Sequence, residues 1–202
     1  IRLEAYHKKY NKLPLKTDNE FPYYNSEGKG YSKGFDLFIN DTECFENWEY
    51  MIAYSYNDSR RKYLDFPEIS ETPFAMRHNA SITLKYSNYS IRSIISLSNR
   101  FASGRAYHNP NFDGYMNAKT PNYNSLDASW VYLANKRIII YAGFSNILNR
   151  TNIYGYAFNN NADGSQNSYN SRPITQQMNQ SFYIGCFISL GKNASYNATN
   201  FY

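Results

Sequence analysis

Three histidines, His7, His78 and His108, are the side chains best suited to acid–base catalysis or metal binding in this sequence. They stand far apart, with no carboxylate or cysteine at ligand spacing, so the sequence predicts no metal site. A nucleophilic serine would need one of them as its base, and His78 with Ser81 or His108 with Ser103 are the pairs to consider. Nothing beyond proximity in the chain supports either pair. The sequence therefore predicts no catalytic residue and no cofactor.

A second group of candidates consists of charged side chains that share one face of alternating segments. Their signs alternate from one segment to the next. Such charges are costly in a dry core unless they are paired, whereas a water-filled interior accommodates them. Two roles stay open: they pair with each other or with another domain, or some of them line a substrate path. These candidates are Arg2, Glu4, Asp36, Glu49, Lys85, Arg92, Arg100 and Asp127.

A third group lies in polar segments rich in Tyr and Asn. Phenol rings and amides suit hydrogen bonding to, and stacking on, a sugar, a peptide or a chelate. We therefore expect a small-molecule, sugar or peptide ligand to be captured in these segments. The ligand-contact candidates are Tyr107, His108, Tyr115, Tyr123, Tyr154, Tyr156 and Tyr169.

The elements that must position these residues are β-strands, because apolar and polar side chains alternate along most of the chain. The pattern is clearest between Ser125 and Tyr156, where two alternating runs flank a polar turn at 134–136 and predict a hairpin. In all, the alternation predicts eight strands, near residues 1–10, 31–40, 48–56, 78–86, 90–101, 125–133, 137–148 and 180–190, with a tail over 193–202.

The connections between these strands are alternately long and short, which in an up-and-down antiparallel sheet places all long loops at one end. Outer-membrane barrels have this asymmetry. One face carries charges, and the other carries Leu, Ile, Ala and Phe in mid-strand with Trp and Tyr near the strand ends, as at a membrane interface. Backbone groups in lipid require a closed sheet. The sequence thus predicts an all-β, antiparallel up-and-down transmembrane barrel in the outer membrane, over residues 1–192, in contact with lipid.

Composition restricts the remaining classes. The chain has 22 Tyr and 13 Phe, yet its mean hydropathy is −0.68, and no apolar run approaches the ~20 residues of a transmembrane helix. The net charge is +5, but Lys and Arg are scattered, so no nucleic-acid partner is expected. Cys44 and Cys186 are too few for a disulfide framework, and whether they pair with each other stays open.

One segment is specific enough to suggest a family. Residues 142–156 read AGFSNILNRTNIYGY and resemble the penultimate strand of TonB-dependent outer-membrane receptors, most closely those of the Bacteroidetes type. Gly30–Phe38 and Ser181–Leu190 are similar to barrel strands of the same family. The resemblance implies the C-terminal part of a barrel of about 22 strands. It also implies nutrient import powered by the TonB complex, through a plug domain absent from this chain.

Two other functions stay open at this point. A passive porin or a small structural barrel could close with eight strands by itself, and a few outer-membrane barrels are hydrolases. The chain opens at Ile1 already in strand pattern, so we expect a piece of a longer polypeptide.

Overall fold

The computed structural model describes residues 1–16, 24–160 and 169–190, so the tail expected at 193–202 lies outside the described ranges. Within those ranges the chain forms thirteen β-strands and no helix. The strands are β1 Arg2–Lys16, β2 Tyr24–Phe45, β3 Trp48–Lys62, β4 Ser70–Glu71, β5 His78–Asn88, β6 Ser93–Ala102, β7 Ala106–Tyr107, β8 Ala118–Lys119, β9 Tyr123–Asn135, β10 Ile138–Ser145, β11 Ile153–Asn160, β12 Tyr169–Thr175 and β13 Ser181–Ile188.

Eight of these strands form one antiparallel sheet in the order β1-β2-β3-β5-β6-β9-β10-β13. Neighbours in the sheet are also neighbours in the chain once the short outer strands are set aside, which is the up-and-down arrangement. β4 extends the sheet beside the upper part of β3, and β7-β8 and β11-β12 form separate two-stranded ribbons. The predicted all-β antiparallel fold is confirmed. In the described part β1 and β13 are the two edges of the sheet and are not paired with each other.

The register aligns the two faces across all strands. Leu3, Leu37, Tyr54, Ala80 and Phe101 form one continuous cross-strand row. The row one residue further along each of β1, β2, β3, β5 and β6 runs through the opposite, polar face. Because side chains alternate strictly along a strand, one residue of slip would exchange the faces. We call the face that carries Leu3 the lipid face and the opposite one the lumen face.

The lipid face has no packing partner. Ile82 is 45% exposed and Leu97 is 42% exposed, although both lie in the middle of the sheet. The apolar side chains that the described ranges do bury lie in the outer loops or near the strand ends on the lumen side; they are Phe66, Ile94, Ala102, Ala106, Leu133 and Ile139. An aliphatic face of this size, left uncovered in the middle of a sheet, is suited to a hydrocarbon surround.

Aromatic rings bound the lipid face at both levels. At the end with the tight turns Trp48 packs against Tyr86, with ring centroids 4.8 Å apart. At the other end Tyr56 packs on His78 at 5.3 Å. Trp48 and Tyr56 are eight residues apart on one strand, which corresponds to about 26 Å along that strand. This spacing suits the apolar band of an outer-membrane barrel, ~25 Å tall.

Tight turns join strands at the inner end. They are formed at 46–47, 89–92 and 136–137, and Asn47 and Arg92 adopt positive φ values of 66° and 52°. The turn of the predicted hairpin therefore lies at Lys136–Arg137, slightly later in the chain than the pattern indicated. The long connections all lie at the opposite, outer end, and we call three of them loop A (63–77), loop B (103–122) and loop C (146–180).

At the outer end of the sheet, β1, β2 and β3 are longer than the alternation predicted. β1 continues to Lys16, β2 begins at Tyr24, and β3 continues to Lys62. Loop C, expected to be irregular, contains the paired strands β11 and β12. The reason is that above the membrane both faces of a strand meet water or other loops, so the apolar alternation disappears while the backbone ladder continues.

The structure also bears on membrane-spanning helices and on the two cysteines. Within residues 1–16, 24–160 and 169–190, no helix is long and apolar enough to cross a membrane. Cys44 and Cys186 are both free and exposed, which answers the question of their pairing. Cys186 lies opposite Ile140 on the lipid face.

Candidate functional site

The charges of the lumen face pair mainly with one another. Arg2 and Glu4 approach to 3.1 Å, and Lys85 and Glu49, which face each other across β3 and β5, approach to 2.8 Å. Asp36 accepts a hydrogen bond from the Ser55 hydroxyl on the neighbouring strand. These contacts occupy most of the candidates and support a structural role for them. Surface pairs of this kind contribute little free energy, on the order of 0–1 kcal/mol each.

Arg92 differs from the sequence-based expectation. It does not lie on the wall of the lumen but in the turn between β5 and β6, where it is exposed and donates to the carbonyl oxygen of Ala134 at 3.4 Å. The apolar–polar alternation continued through this residue in the sequence. Because the chain reverses direction in this turn, Arg92 belongs to no strand, and the alternation does not indicate which face its side chain occupies.

Asp127 connects the lumen wall to the outer rim. Its carboxylate contacts the Arg100 guanidinium at 2.5 Å and accepts hydrogen bonds from the Ser125 hydroxyl at 2.8 Å and the backbone N–H of Asn146 at 2.7 Å. Arg100 and Asp127 were predicted independently as lumen charges, and the structure brings them together. The pair fixes the height at which loop C leaves the barrel.

The family-like segment after β10 is a hydrogen-bonded brace. Asn146 is 4% exposed, has φ of 52°, and its side-chain amide donates to the carbonyl oxygens of Arg150 and Asn179, both at 2.8 Å. Asn152, also buried, pairs through its amide with both backbone groups of Asn124, at 3.0 and 2.9 Å. The two asparagines therefore join β9, loop C and the entrance to β13.

Loop B packs on loop A through aromatic rings. Phe66 is buried between Tyr63, at 4.8 Å between ring centroids, and Tyr115, at 4.9 Å. His108 then stacks on Tyr115 at 5.5 Å. Burial, and secondarily the nearby charge of Asp65, raises the pKa of the Tyr115 phenol. Two of the predicted ligand-contact residues, His108 and Tyr115, thus have partners within the protein.

Loop B also packs on loop C. Tyr107 lies 5.0 Å from Tyr156 between ring centroids, and the side chain of Asn111 exchanges two hydrogen bonds with the backbone of Tyr169, at 2.9 and 2.7 Å. Tyr123 and Tyr154 are in looser contact at 6.2 Å. Tyr107, Tyr115, Tyr156 and Tyr169 therefore lie at contacts between two loops, His108 stacks within loop B, and the contact of Tyr123 with Tyr154 joins β9 to loop C. The sequence could not show this, because the contacts join segments up to 58 residues apart.

A single carboxylate, that of Glu71, ties loops A and B to β3. Lys119 of loop B approaches it at 2.9 Å, Arg60 of β3 at 3.9 Å, and Arg77 of loop A contacts it closely. Glu71 belongs to β4 and lies directly opposite Arg60. Sequence reasoning missed this residue, because its three partners come from different segments.

We expect Glu71→Gln to weaken the docking of loop A and loop B by on the order of 2 kcal/mol, since three cations lose their shared partner. Limited proteolysis of the intact protein would show faster cleavage in loop B. Glu68→Gln is the matched control, because Glu68 lies in the same loop, is exposed and has no ion pair in the described part of the chain. Equal cleavage rates for wild type and Glu71→Gln would contradict a bracing role.

A concave region lies where the lumen face meets loops B and C. One cavity of about 330 Å³ is lined by Arg100, Arg105, Tyr123 and Tyr154 among others. A second adjoins it, since it shares Arg100 and Tyr123, and is lined by the amides of Gln176 and Asn179. Burial, followed by the adjacent Tyr123, raises the pKa of Tyr154, and the charges of Arg100 and Arg105 oppose that shift. We call this region the outer cup.

No hydrolase geometry occurs in the described ranges. His78 and Ser81 are an odd number of residues apart on β5 and face opposite sides, and the His78 ring is bonded to the Tyr54 hydroxyl at 2.8 Å. Gly30–Gly34 reads Gly-x-Ser-x-Gly, the residue pattern of a hydrolase nucleophile elbow. It lies inside β2 rather than at a strand-to-helix turn, and Ser32 is buried and bonded to Asn57.

Comparison with known proteins agrees with the fold. Residues 1–147 match the family model described as TonB dependent receptor-like, beta-barrel. No curated protein sequence matches the chain significantly. Solved structures do: the ferric-catecholate import receptor Fiu from E. coli K12 is 11% identical with a TM-score of 0.64, covering 92% of this chain and 24% of that one.

Two further structures are similar. The siderophore receptor PiuA from Acinetobacter baumannii is 14% identical with a TM-score of 0.68, covering 92% of this chain and 25% of that one. The ferric yersiniabactin uptake receptor FyuA from Yersinia pestis is 18% identical with a TM-score of 0.62, covering 82% and 24%. At these identities the likeness concerns the fold, and the chain spans about a quarter of each receptor. With the matched family model, the resemblance is confirmed: the chain belongs to the TonB-dependent receptor-like β-barrel family and is part of an outer-membrane barrel.

Proposed function

We propose that the intact protein captures a nutrient at its outer loops and imports it by TonB-dependent active transport. The energy would come from the TonB complex, through a plug domain outside these 202 residues. The family supports this function, since its members are TonB-dependent receptors. The similar solved structures carry names of ferric-catecholate, siderophore and ferric yersiniabactin receptors, so an oxygen-rich chelate stands beside sugars and peptides as a ligand class.

The observation that carries the proposal is the composition of the outer cup. Arg105 lines it and has no ion pair in the described part of the chain, whereas Arg100 is held by Asp127. Tyr123 and Tyr154 contribute hydroxyls and ring faces to the same concavity. A free guanidinium beside two phenols favours a compact ligand with acceptor oxygens, because charge-assisted hydrogen bonds are the stronger ones. The cup is lined by lumen-face side chains of β5, β6 and β9, on the side of the sheet that an import route would use.

We expect Arg105→Ala in the intact receptor to lower the apparent affinity for the imported nutrient by roughly 10- to 100-fold, the loss of one charged hydrogen bond of about 1.5–3 kcal/mol. The measurement is uptake by cells of radiolabelled ferric catecholate, oligosaccharide and peptide, which also selects the ligand class. Lys136→Ala, in an inner turn, is the matched control and should leave uptake unchanged. Full uptake by Arg105→Ala would remove the outer cup from the ligand route.

A passive channel can be distinguished from an active transporter by the energy dependence of uptake. We expect a protonophore to abolish uptake through this receptor, because a TonB-coupled step draws on the inner-membrane potential. The control is a porin substrate measured in the same cells. Uptake that continues undiminished after the potential has collapsed would favour a passive channel.

We also infer that the barrel is not an enzyme. The matched family consists of transport receptors. In addition, the His78 ring is hydrogen-bonded to the Tyr54 hydroxyl in the sheet, and the His108 ring stacks on Tyr115 in loop B. Ester hydrolysis by the purified receptor that is lost on replacing His7, His78 or His108 with Ala would overturn this inference.

A further inference from the structure

The lipid face continues above its outer aromatic ring as a basic surface. In β1 to β3 the positions that follow the lipid-face alternation past Phe35 and Tyr56 carry lysine and arginine. Loop residues that contact Glu71 extend it. We call it the outer basic surface; it consists of Lys9, Lys29, Lys33, Arg60, Lys62, Arg77 and Lys119, with Glu27, Asp58 and Glu71 as its acidic members.

The register confirms which way these side chains point. Lys33 is opposite Asp58 and contacts it at 3.6 Å, and Tyr31, two residues on, donates to the same carboxylate at 3.3 Å. These residues therefore share the face of Phe35 and not that of the lumen. They follow Phe35 and Tyr56 by two to six residues, which is about 7–20 Å along a strand. This places the surface at and above the head groups of the outer leaflet.

The cations of this surface are incompletely neutralised. Asp58 is shared by Lys33 and Arg60, and Glu71 by Arg60, Arg77 and Lys119. Within the described ranges Lys9, Lys29 and Lys62 have no ion pair. Seven cations face three carboxylates, those of Glu27, Asp58 and Glu71, so the surface carries a positive excess.

One pair in the surface is unfavourable without a ligand. Lys29 of β2 and Lys62 of β3 stand directly opposite each other in the register. Like charges at opposed positions destabilise a sheet, and an anion between them removes that cost. A negative group bound between the two lysines would therefore stabilise the outer parts of β2 and β3.

We propose that the outer basic surface binds phosphate groups of lipid head groups in the outer leaflet. The occupant is inferred from continuity with the lipid face and from charge, since clustered lysine and arginine beside a membrane bind anionic head groups. A ligand in the outer cup is not an alternative, because that cup lies on the lumen side of the sheet. The bound lipid would brace β1, β2 and β3 above the membrane.

The test is lipid binding by the intact receptor in non-ionic detergent, measured by native mass spectrometry. The probes are a bisphosphorylated lipid A, the same glycolipid without phosphates, and inorganic phosphate. We expect the triple variant Lys9→Gln/Lys29→Gln/Lys62→Gln to lose affinity for the phosphorylated lipid by on the order of 100-fold. These three lysines have no ion pair in the described chain, so the variant is expected to fold.

The matched control is Lys136→Gln/Arg137→Gln, which removes two exposed cations from the inner turn and should leave binding unchanged. Nutrient uptake by the triple variant should be preserved, which separates this site from the outer cup. Equal binding of the dephosphorylated lipid, displacement by inorganic phosphate at equal concentration, or unchanged binding by the triple variant would each overturn the proposal.

Discussion

Asn146→Ala is expected to destabilise the intact barrel by about 3 kcal/mol, because it removes three hydrogen bonds made by a buried side chain. The side chain donates to the carbonyls of Arg150 and Asn179 and accepts from the N–H of Arg150 at 3.3 Å. The residue also holds a positive φ, which asparagine tolerates better than alanine. The measurement is the temperature at which the folded band converts to the unfolded one on heat-modifiability gels.

Two variants separate the causes. Asn146→Gly keeps the backbone conformation and loses the side-chain hydrogen bonds, so it should recover only a small part of the loss. Asn149 has the same φ of 52° but is exposed, and Asn149→Ala should therefore show the cost of the backbone conformation alone. If Asn146→Ala and Asn149→Ala were equally mild, the brace assigned to Asn146 would have no energetic support.

Gly34→Ala is expected to cost about 3 kcal/mol for a different reason, steric overlap with a neighbouring strand. A Cβ at Gly34 would lie 2.0 Å from the carbonyl oxygen of Tyr56 and 2.8 Å from the Tyr6 hydroxyl. The tyrosine ring can turn away, but the carbonyl belongs to β3 and moves only with the strand. We expect a lower yield of folded receptor in the outer membrane and a lower transition temperature on gels.

Gly143→Ala is the matched control on the same face. The nearest obstacle there is the hydroxyl of Tyr141, at 2.9 Å, which is the far end of a flexible side chain. This substitution should cost well below the Gly34 value. A Gly143→Ala defect as large as that of Gly34→Ala would show that the close approach to the Tyr56 carbonyl is not the cause of the loss.

The outer half of the molecule is proposed to have two functions, which are to hold the loops in place and to bind ligands. The asparagine brace, the Glu71 contacts and the aromatic stacking between loops hold loops A, B and C in one arrangement. The outer cup and the outer basic surface lie on opposite sides of the sheet, one toward the lumen and one toward lipid. A substitution at Arg105 in the outer cup, or at Lys9, Lys29 or Lys62 in the outer basic surface, can therefore change binding without weakening the brace.

Much of the barrel was accessible from sequence. Alternation assigned both faces correctly at Leu3, Leu37 and Ile82, and the long and short connections placed all outer loops at one end. The strand extensions to Lys16 and Lys62 were missed, since nothing in a solvated ribbon distinguishes inward from outward positions. Arg92 was assigned to a strand because alternation continues through a turn that reverses the chain.

The candidate residues, too, were only partly accessible from the sequence. Sequence identified Arg100, Asp127 and the loop tyrosines as residues of interest, from charge and composition. It could not say that Arg100 is held by Asp127, that Arg105 is left without an ion pair in the described chain, or that Tyr107 packs on Tyr156.

The sequence by itself determined the eight strands of the main sheet, its two faces and the family resemblance, because alternation and motif are properties of neighbouring residues. Only the tertiary structure decided which side chains meet. Asn146 reaches the carbonyl of Asn179 across 33 residues, and Lys29 is opposed to Lys62 by register. Such contacts depend on strand pairing over long distances in the chain, and no local pattern encodes the partner.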